Sequence, residues 1–197
     1  MRACSRQLIF GLIFGLLFAT TAATICASAG NAPVSTQAAL PSPATVVKPQ
    51  TLVSLEPVPR GKPFEIAVVV EIVKGFHMNS HKPTDPYLIP TTLTTQLPAG
   101  FDVADTIYPD GHEEKFSFSP NKTLNVYTGK VVLRLKLTAH PNAPLGATTI
   151  PITLRYQACN DTTCLQPVKI PVDAKFQMAA AGAKSHPAHA DIFGAAK

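Results

Sequence analysis

The chain of 197 residues contains no tryptophan, and its 11 glycines are outnumbered by 19 prolines. Valine, threonine and isoleucine are frequent, and these residues favour strands, whereas proline is tolerated mainly at strand edges and ends. No helical periodicity is visible between residues 51 and 176, and the chain has no internal repeat. The sequence therefore predicts an all-β domain with proline-edged strands.

Clusters of like charge are also missing. The formal net charge is +5, and the basic residues are scattered without a stripe or a run. A nucleic-acid-binding protein concentrates its lysines and arginines on one face, so this pattern excludes nucleic acid as a partner. Loss of Arg2 and Arg6 with an N-terminal signal would lower the charge from +5 to +3.

Long apolar runs are confined to the N-terminus. Arg2 and Arg6 precede an apolar stretch at residues 8–18, and Ala27-Ser28-Ala29 forms a small-x-small cleavage site. This pattern predicts a signal peptide at residues 1–29, export to an oxidising compartment, and no stable membrane insertion after cleavage, because the apolar run is short. Cys26 leaves a lipoprotein as an alternative, although Ile25 fits a lipidation signal poorly.

The remaining chain has the length of one domain with a single core, and we expect a monomer. Residues 30–49 are rich in Ala, Pro, Ser and Thr, which predicts a flexible linker. The folded domain is predicted at residues 50–178. Residues 179–197 are rich in Ala, Gly, Lys and His and are predicted to form a disordered tail.

Short runs with apolar alternation or enrichment in valine and isoleucine predict the strands. These runs are residues 64–73, 87–97, 101–108, 130–137, 150–157 and 168–176. Several short strands separated by turn residues favour a β-sandwich.

Cysteine is scarce, and its placement is informative. Cys4 and Cys26 lie in the predicted signal peptide, so the mature chain keeps Cys159 and Cys164 in a turn between two predicted strands. Two cysteines of an exported protein can remain paired as a disulfide. A disulfide that closes so short a loop stabilises a fold by only about 2 kcal/mol. A close pair in an exposed turn can open and close without unfolding the domain, as thiol–disulfide exchange requires. An inert structural disulfide in a non-catalytic binding domain remains the alternative.

Ligands for a metal are few. The cysteine pair has neither a second pair nor a histidine beside it, so a zinc site is not expected. His77, Met78 and His81 offer soft and imidazole ligands, which keeps a periplasmic copper carrier as a further alternative. Their spacing in a strand or loop does not by itself converge them, and we expect weak copper binding or none.

A second segment of interest is Gly111-His112-Glu113-Glu114-Lys115-Phe116-Ser117-Phe118. Phe116 and Phe118 are two residues apart and share a face in an extended segment. They are interpreted either as core residues or as a mobile aromatic flap over the disulfide. As a flap, Phe116 is expected to be replaceable by alanine with little loss of thermal stability.

Several motifs together resemble a known family. Tyr156-Gln157-Ala158-Cys159, followed by Cys164-Leu165-Gln166-Pro167, resembles the active-site hairpin of the periplasmic N-terminal domain of the thiol:disulfide interchange protein DsbD. Further similarity is found in Gly75-Phe76-His77-Met78-Asn79-Ser80, Leu88-Ile89-Pro90-Thr91, Leu124-Asn125-Val126-Tyr127-Thr128-Gly129 and His112-Glu113-Glu114-Lys115-Phe116. The last of these resembles the family's cap loop, with Lys115 where an acidic residue can occur.

The resemblance implies a periplasmic, immunoglobulin-like β-sandwich with thiol:disulfide oxidoreductase activity and no cofactor. It also implies electron relay from a membrane-embedded thiol reductase to thioredoxin-like periplasmic proteins, a transfer associated with cytochrome c maturation. By position, Cys164 corresponds to the sulfur that a partner attacks and Cys159 to the resolving thiol. Phe116 corresponds to the gate, with Phe118, Glu113 and Glu114 beside it in the cap, and Tyr156 and Gln157 are neighbours of the cysteine pair. Glu113, Glu114 and Tyr156 could influence thiolate formation. The membrane and thioredoxin domains that accompany the best-known members have no counterpart in this sequence.

Overall fold

The computed structural model describes residues 39–194. Its strands, in chain order, are β1 (Val47–Val53), β2 (Leu55–Glu56), β3 (Val58–Pro59), β4 (Pro63–Ile72), β5 (His77–Asn79), β6 (Thr92–Thr95), β7 (Phe101–Ile107), β8 (His112–Glu114), β9 (Leu124–Tyr127), β10 (Lys130–Ala139), β11 (Gly146–Ile150), β12 (Ile152–Tyr156), β13 (Ala158–Cys159), β14 (Val168–Pro171), β15 (Ala174–Ala179) and β16 (His186–Pro187). A 3-10 turn (Pro43–Thr45) precedes β1, and the four-residue helix α1 (Ala190–Phe193) follows β16. None of the helices in this part of the chain has the length and apolar character to cross a membrane.

The largest sheet has the strand order β1-β4-β10-β7 and is antiparallel throughout. The alternating sequence of β10 explains why it forms a strand here. Every second side chain from Val131 to Ala139 is buried, and the others, such as Lys130 and Lys136, face water. Its neighbour β4 lies between β1 and β10 and is buried along most of its length. The predicted strands at residues 64–73 and 130–137 are thereby confirmed.

The other strands form three smaller sheets and one two-stranded ladder. Their orders are β11-β15-β3, β14-β12-β6, β13-β5-β9-β8 and β16-β2. Inward side chains of β12, among them Ile152, Leu154 and Tyr156, join the same core as Leu133 and Leu135 of β10. The predicted fold class, an all-β immunoglobulin-like sandwich, is confirmed.

The prediction of a strand over residues 87–97 is wrong in its first half. Only Thr92–Thr95 forms a strand, and the residues before it make an irregular loop in which Tyr87 is 91 % exposed. Pro86 and Pro90 lie in this loop, and proline cannot donate a backbone hydrogen bond to a neighbouring strand. This loop contributes buried polar contacts to the site described below.

Both predicted boundaries of the folded domain fall short. Strand β1 begins at Val47 inside the predicted linker, where Val47 is buried and pairs with Ile72. The predicted tail also contains structure, since His186 pairs with Glu56 and α1 follows. The backbone of Ala188 donates a hydrogen bond to the carbonyl of Ser54, which ties the tail to the domain.

The predicted signal peptide, with Cys4, Cys26 and its cleavage site, lies outside the described residues, as does the linker up to residue 38. Within the described part, regular structure extends from the 3-10 turn before β1 to α1. The linker prediction is therefore wrong for residues 43–49, and the tail prediction is wrong for residue 179 and for residues 186–193.

Candidate functional site

Cys159 and Cys164 form a disulfide at the end of β13. The two residues face each other as an antiparallel bridge, and their Cα atoms are 3.9 Å apart. Asn160 holds the intervening turn, because its side-chain oxygen accepts hydrogen bonds from the backbone amides of Thr162 and Thr163 at 3.0 and 2.9 Å. Hydrogen bonds from nearby backbone amides to an asparagine side-chain oxygen are a common way to stabilise a tight turn. The pair predicted from the sequence is thus held in bonded geometry by its own loop.

The two sulfur-bearing residues differ in exposure. Cys159 is completely buried, whereas Cys164 is half-buried and follows the exposed residues Asp161 and Thr162. The prediction of an exposed turn is therefore wrong for Cys159, since this residue belongs to a strand that is paired with β5. A molecule that approaches from solvent reaches the disulfide from the side of Cys164.

His77 lies directly opposite Cys159 in the register of β5 and β13. The His77 side chain is only 2 % exposed, and its Nε2 has no hydrogen-bond partner among the described residues. Burial lowers the pKa of His77 to about 4, although the nearby charges of Glu114 and Asp161 act in the opposite direction. The imidazole beside the disulfide is therefore neutral at ordinary pH.

An aromatic stack covers His77. The ring of Phe116 lies 3.9 Å from the His77 ring, with 21° between their planes, and Phe118 stacks on Phe116 at 5.5 Å. Phe118 is 37 % exposed and forms the outer layer, whereas Phe116 is 5 % exposed. The Ser117 hydroxyl donates a hydrogen bond to the carbonyl of Asp161, which joins this segment to the cysteine turn. We call residues 115–118 the cap.

The cap has a small hydrophobic cluster of its own. Phe116 packs with Leu124 and Val126 of β9, and Leu88 borders the cluster. This cluster is separate from the main core. The two interpretations of Phe116 are not exclusive, because the ring is both a packing residue and the cover of the residue opposite Cys159. The expectation that its truncation leaves stability nearly unchanged conflicts with this burial.

The two acidic residues before the cap point into solvent. A carboxylate oxygen of Glu113 accepts a hydrogen bond from the Thr123 hydroxyl at 2.8 Å, and Glu114 lies 3.3 Å from Nε2 of His112. Both side chains belong to β8, whose three residues are exposed. Of the two, only Glu114 acts on the site, because it borders the His77 cleft and its charge raises the pKa of His77 against the effect of burial.

Tyr156 and Gln157 have different surroundings although they adjoin in sequence. The buried Tyr156 hydroxyl donates to the carbonyl of Pro43 at 2.8 Å, and burial raises its pKa to about 12. Gln157 instead supports the cysteine turn, because its amide donates to the carbonyl of Leu165 at 3.3 Å. Strand alternation places these two side chains on opposite faces, so Tyr156 stabilises the fold while Gln157 borders the site.

Sequence reasoning missed a buried polar group behind the turn. Asn79 is fully buried and donates hydrogen bonds to the carbonyl of Ile89 and to the side-chain oxygen of Gln157, at 3.0 and 3.3 Å. The Thr91 hydroxyl donates to the carbonyl of Asn79 at 2.6 Å. The asparagine within a short strand could have indicated this group, because a buried asparagine side chain needs hydrogen-bond partners.

The structure does not bring the possible copper ligands together. Met78 is fully buried in the main core, on the opposite face of β5 from His77. The ring of His81 stacks on Tyr108 at 3.6 Å, and its Nδ1 lies 3.0 Å from the carbonyl of Thr91. Within residues 39–194, no group of three or more His, Cys, Asp or Glu side chains is arranged to hold a metal ion.

Among the solved structures similar to this chain are two N-terminal domains and a pilin fragment. The N-terminal domain of DsbD from Neisseria meningitidis, in the reduced form, is 18 % identical with a TM-score of 0.42, and the match covers 75 % of this chain and 94 % of that one. The N-terminal periplasmic domain of ScsB from Proteus mirabilis is 14 % identical with a TM-score of 0.43, covering 68 % and 48 %. A fragment of the major pilin GBS80 of Streptococcus agalactiae is 10 % identical with a TM-score of 0.37, covering 66 % and 56 %.

No curated protein matches the chain significantly. The family model of the N-terminal domain of the thiol:disulfide interchange protein DsbD matches residues 43–175, which is well over half of the sequence. The matched region begins at the 3-10 turn before β1 and includes the disulfide, the cap and the loop from residue 80 to residue 91. The chain belongs to the family of the N-terminal domain of the thiol:disulfide interchange protein DsbD.

Proposed function

We propose that this protein is a periplasmic thiol–disulfide exchange module that uses the Cys159–Cys164 pair. It relays electrons from a membrane-embedded thiol reductase to thioredoxin-like periplasmic proteins. The observation that carries the proposal is the asymmetry of the pair, with a half-buried Cys164 beside a fully buried Cys159. Membership of a thiol:disulfide interchange family supports the chemistry.

Reduction of the module proceeds through sulfur alone. A thiolate of the reductase attacks Sγ of Cys164, the bond between the two cysteines breaks, and Cys159 leaves as a thiolate. A second thiolate of the reductase then attacks its own sulfur in the mixed disulfide and releases Cys164. Two electrons have passed to the module, the reductase holds a new disulfide, and no organic cofactor or metal is required.

Delivery to the thioredoxin-like protein is the reverse sequence. Cys164 attacks the partner's disulfide, and Cys159 then attacks Cys164, restoring the internal bond and releasing the partner as a dithiol. The aromatic cap has a role in this cycle as a barrier to small thiols. A partner protein that displaces the cap on docking gains access to Cys164, whereas a free thiol meets the closed form.

Trapping of partners tests the proposal. A Cys159→Ser variant lacks the resolving thiol, so partners that react with Cys164 should accumulate as mixed disulfides in the periplasm of the source cells. We expect adducts that disappear on treatment with dithiothreitol and contain a thioredoxin-like protein or a membrane thiol reductase. The double variant Cys159→Ser/Cys164→Ser is the matched control and should give no adduct. Adducts that persist in the double variant, or none with Cys159→Ser, would contradict the relay.

A further inference from the structure

His77 has a place in this chemistry that follows from strand register. Residues directly opposite each other in an antiparallel pair project to the same face, with Cβ atoms about 4.5–5.5 Å apart. Cys159 and His77 are such a pair. The imidazole is therefore an immediate neighbour of the buried sulfur.

The unpartnered nitrogen of His77 is the second observation. Buried polar atoms are nearly always hydrogen-bonded, and Nε2 of His77 is buried without a partner among residues 39–194. In this structure Cys159 is part of a disulfide and has no hydrogen to donate. Reduction converts Cys159 into a thiol, which is a donor. In the tautomer that carries its hydrogen on Nδ1, the imidazole then gains at Nε2 the partner that it lacks in the oxidised form.

The stack with Phe116 restrains the ring. A centroid distance of 3.9 Å and a nearly parallel arrangement leave little room for the imidazole to swing away from the strand. His77 also lines a cleft of about 310 Å³, which Glu114, Phe116 and Asp161 border. The cleft gives a proton held on the imidazole a route towards solvent.

Several charged or titratable groups surround His77. Those on the segments packed against it are Lys74, His112, Glu114, Lys115, Cys159 and Asp161. Strand β9 adds none to this face, because its Tyr127 lies opposite Met78. The two carboxylates favour an imidazolium, and burial opposes it. Because burial has the larger effect, the imidazole stays neutral until a donor inside the site transfers a proton to it.

We propose that His77 accepts the proton of the Cys159 thiol when the reduced pair closes, an inference that rests on the proposed exchange function. In this step the Cys159 sulfur attacks Sγ of Cys164 in the mixed disulfide, and its proton passes to Nε2 of His77. The bond between Cys164 and the partner breaks, and the partner sulfur leaves as a thiolate. His77 then returns the proton to solvent or to the leaving thiolate.

Ellman's reagent separates the two steps. The reduced protein is mixed with one equivalent, and attack by Cys164 releases one thionitrobenzoate while closure by Cys159 releases the second. Two protein thiols and one reagent disulfide thus give one protein disulfide and two thionitrobenzoate anions. The second phase reports closure alone, and its rate is measured between about pH 5 and pH 8. His77 is neutral in this range, whereas the thiolate fraction of an ordinary cysteine rises with pH.

Replacement of His77 should slow only this second phase. His77→Phe keeps an aromatic ring for the stack and removes the acceptor. It should slow closure near pH 6 by about 100-fold, the lower range for loss of a general base, and make closure more steeply dependent on pH. His77→Gln keeps an acceptor atom that does not take up a proton, and it should show the same steeper pH profile. His140→Gln removes a histidine that pairs with Asp102 and does not border the His77 cleft, and it should behave as the wild type does.

The outcomes distinguish the inference from the function on which it rests. If the wild type closes in two phases and both His77 variants close with its rate and pH profile, the role of His77 is overturned while exchange stands. If the wild type never releases the second thionitrobenzoate, both are overturned. Circular dichroism checks that each variant is folded. If His77→Phe does not fold, the closure rate and pH profile of His77→Gln alone test the role of His77.

Discussion

Phe116→Ala should speed the reduction of the Cys159–Cys164 disulfide by dithiothreitol by about tenfold or more, equivalent to at least about 1.4 kcal/mol of barrier. The Phe116 ring covers His77, which lies opposite Cys159. The next residue, Ser117, is hydrogen-bonded to the cysteine turn. Its removal therefore loosens the cap. The same change should lower the free energy of unfolding by about 3 kcal/mol, because a nearly buried phenyl ring leaves a cavity beside Leu124 and Val126.

A matched control separates gating from packing. Phe101 is also 5 % exposed but belongs to the main core, where it packs against Phe64. Phe101→Ala should cost similar stability while the rate of reduction in the folded protein stays at the wild-type value. Stopped-flow reduction and urea unfolding of both variants are the measurements. Equal loss of stability with no change in the reduction rate of either variant would leave Phe116 as a packing residue only.

Exchange should depend on Cys164 far more than on Cys159 in its first step. A reduced Cys159→Ser variant keeps the accessible thiol and should react with Ellman's reagent as fast as the wild type does in its first phase. Cys164→Ser leaves only the fully buried Cys159. Its reaction should be about 100-fold slower, which corresponds to a local opening that costs about 3 kcal/mol.

The comparison of these two variants also assigns the order of attack. The same reagent, pH and temperature apply to both, so differences in intrinsic reagent reactivity cancel. Faster reaction of the Cys164→Ser variant than of the Cys159→Ser variant would reverse the assignment and make Cys159 the sulfur that partners attack.

The local pattern of apolar residues was sufficient to predict strands that have one solvent-exposed face or are buried along their length. Residues 130–137 alternate in sequence because β10 has a core side and a water side, and residues 64–73 are rich in valine because β4 is central. The edges were harder to predict. Strand β1 contains Pro49 and follows a linker-like composition, yet it adds to β4 through backbone bonds that leave no local signature.

The cysteine pair and the cap could be found from the sequence because each is a local motif. The partner of Cys159 could not, since the register between β5 and β13 joins residues 77 and 159, which are far apart in the chain. His77 was consequently interpreted as a possible metal ligand beside Met78, although adjacent residues of a strand face opposite ways. The burial of Cys159 likewise depends on this pairing rather than on the polar turn that follows it.

The role proposed for the Cys159–Cys164 disulfide is that of a working redox couple rather than a structural bridge. Its most direct test is a redox titration of the purified protein against a dithiol buffer, with thiol trapping and circular dichroism followed on the same samples. We expect a reduction potential within about −180 to −270 mV, the range of relay proteins, and a circular dichroism spectrum that is the same in both redox states. Unfolding on reduction, or a potential below about −300 mV, would show that the disulfide is structural.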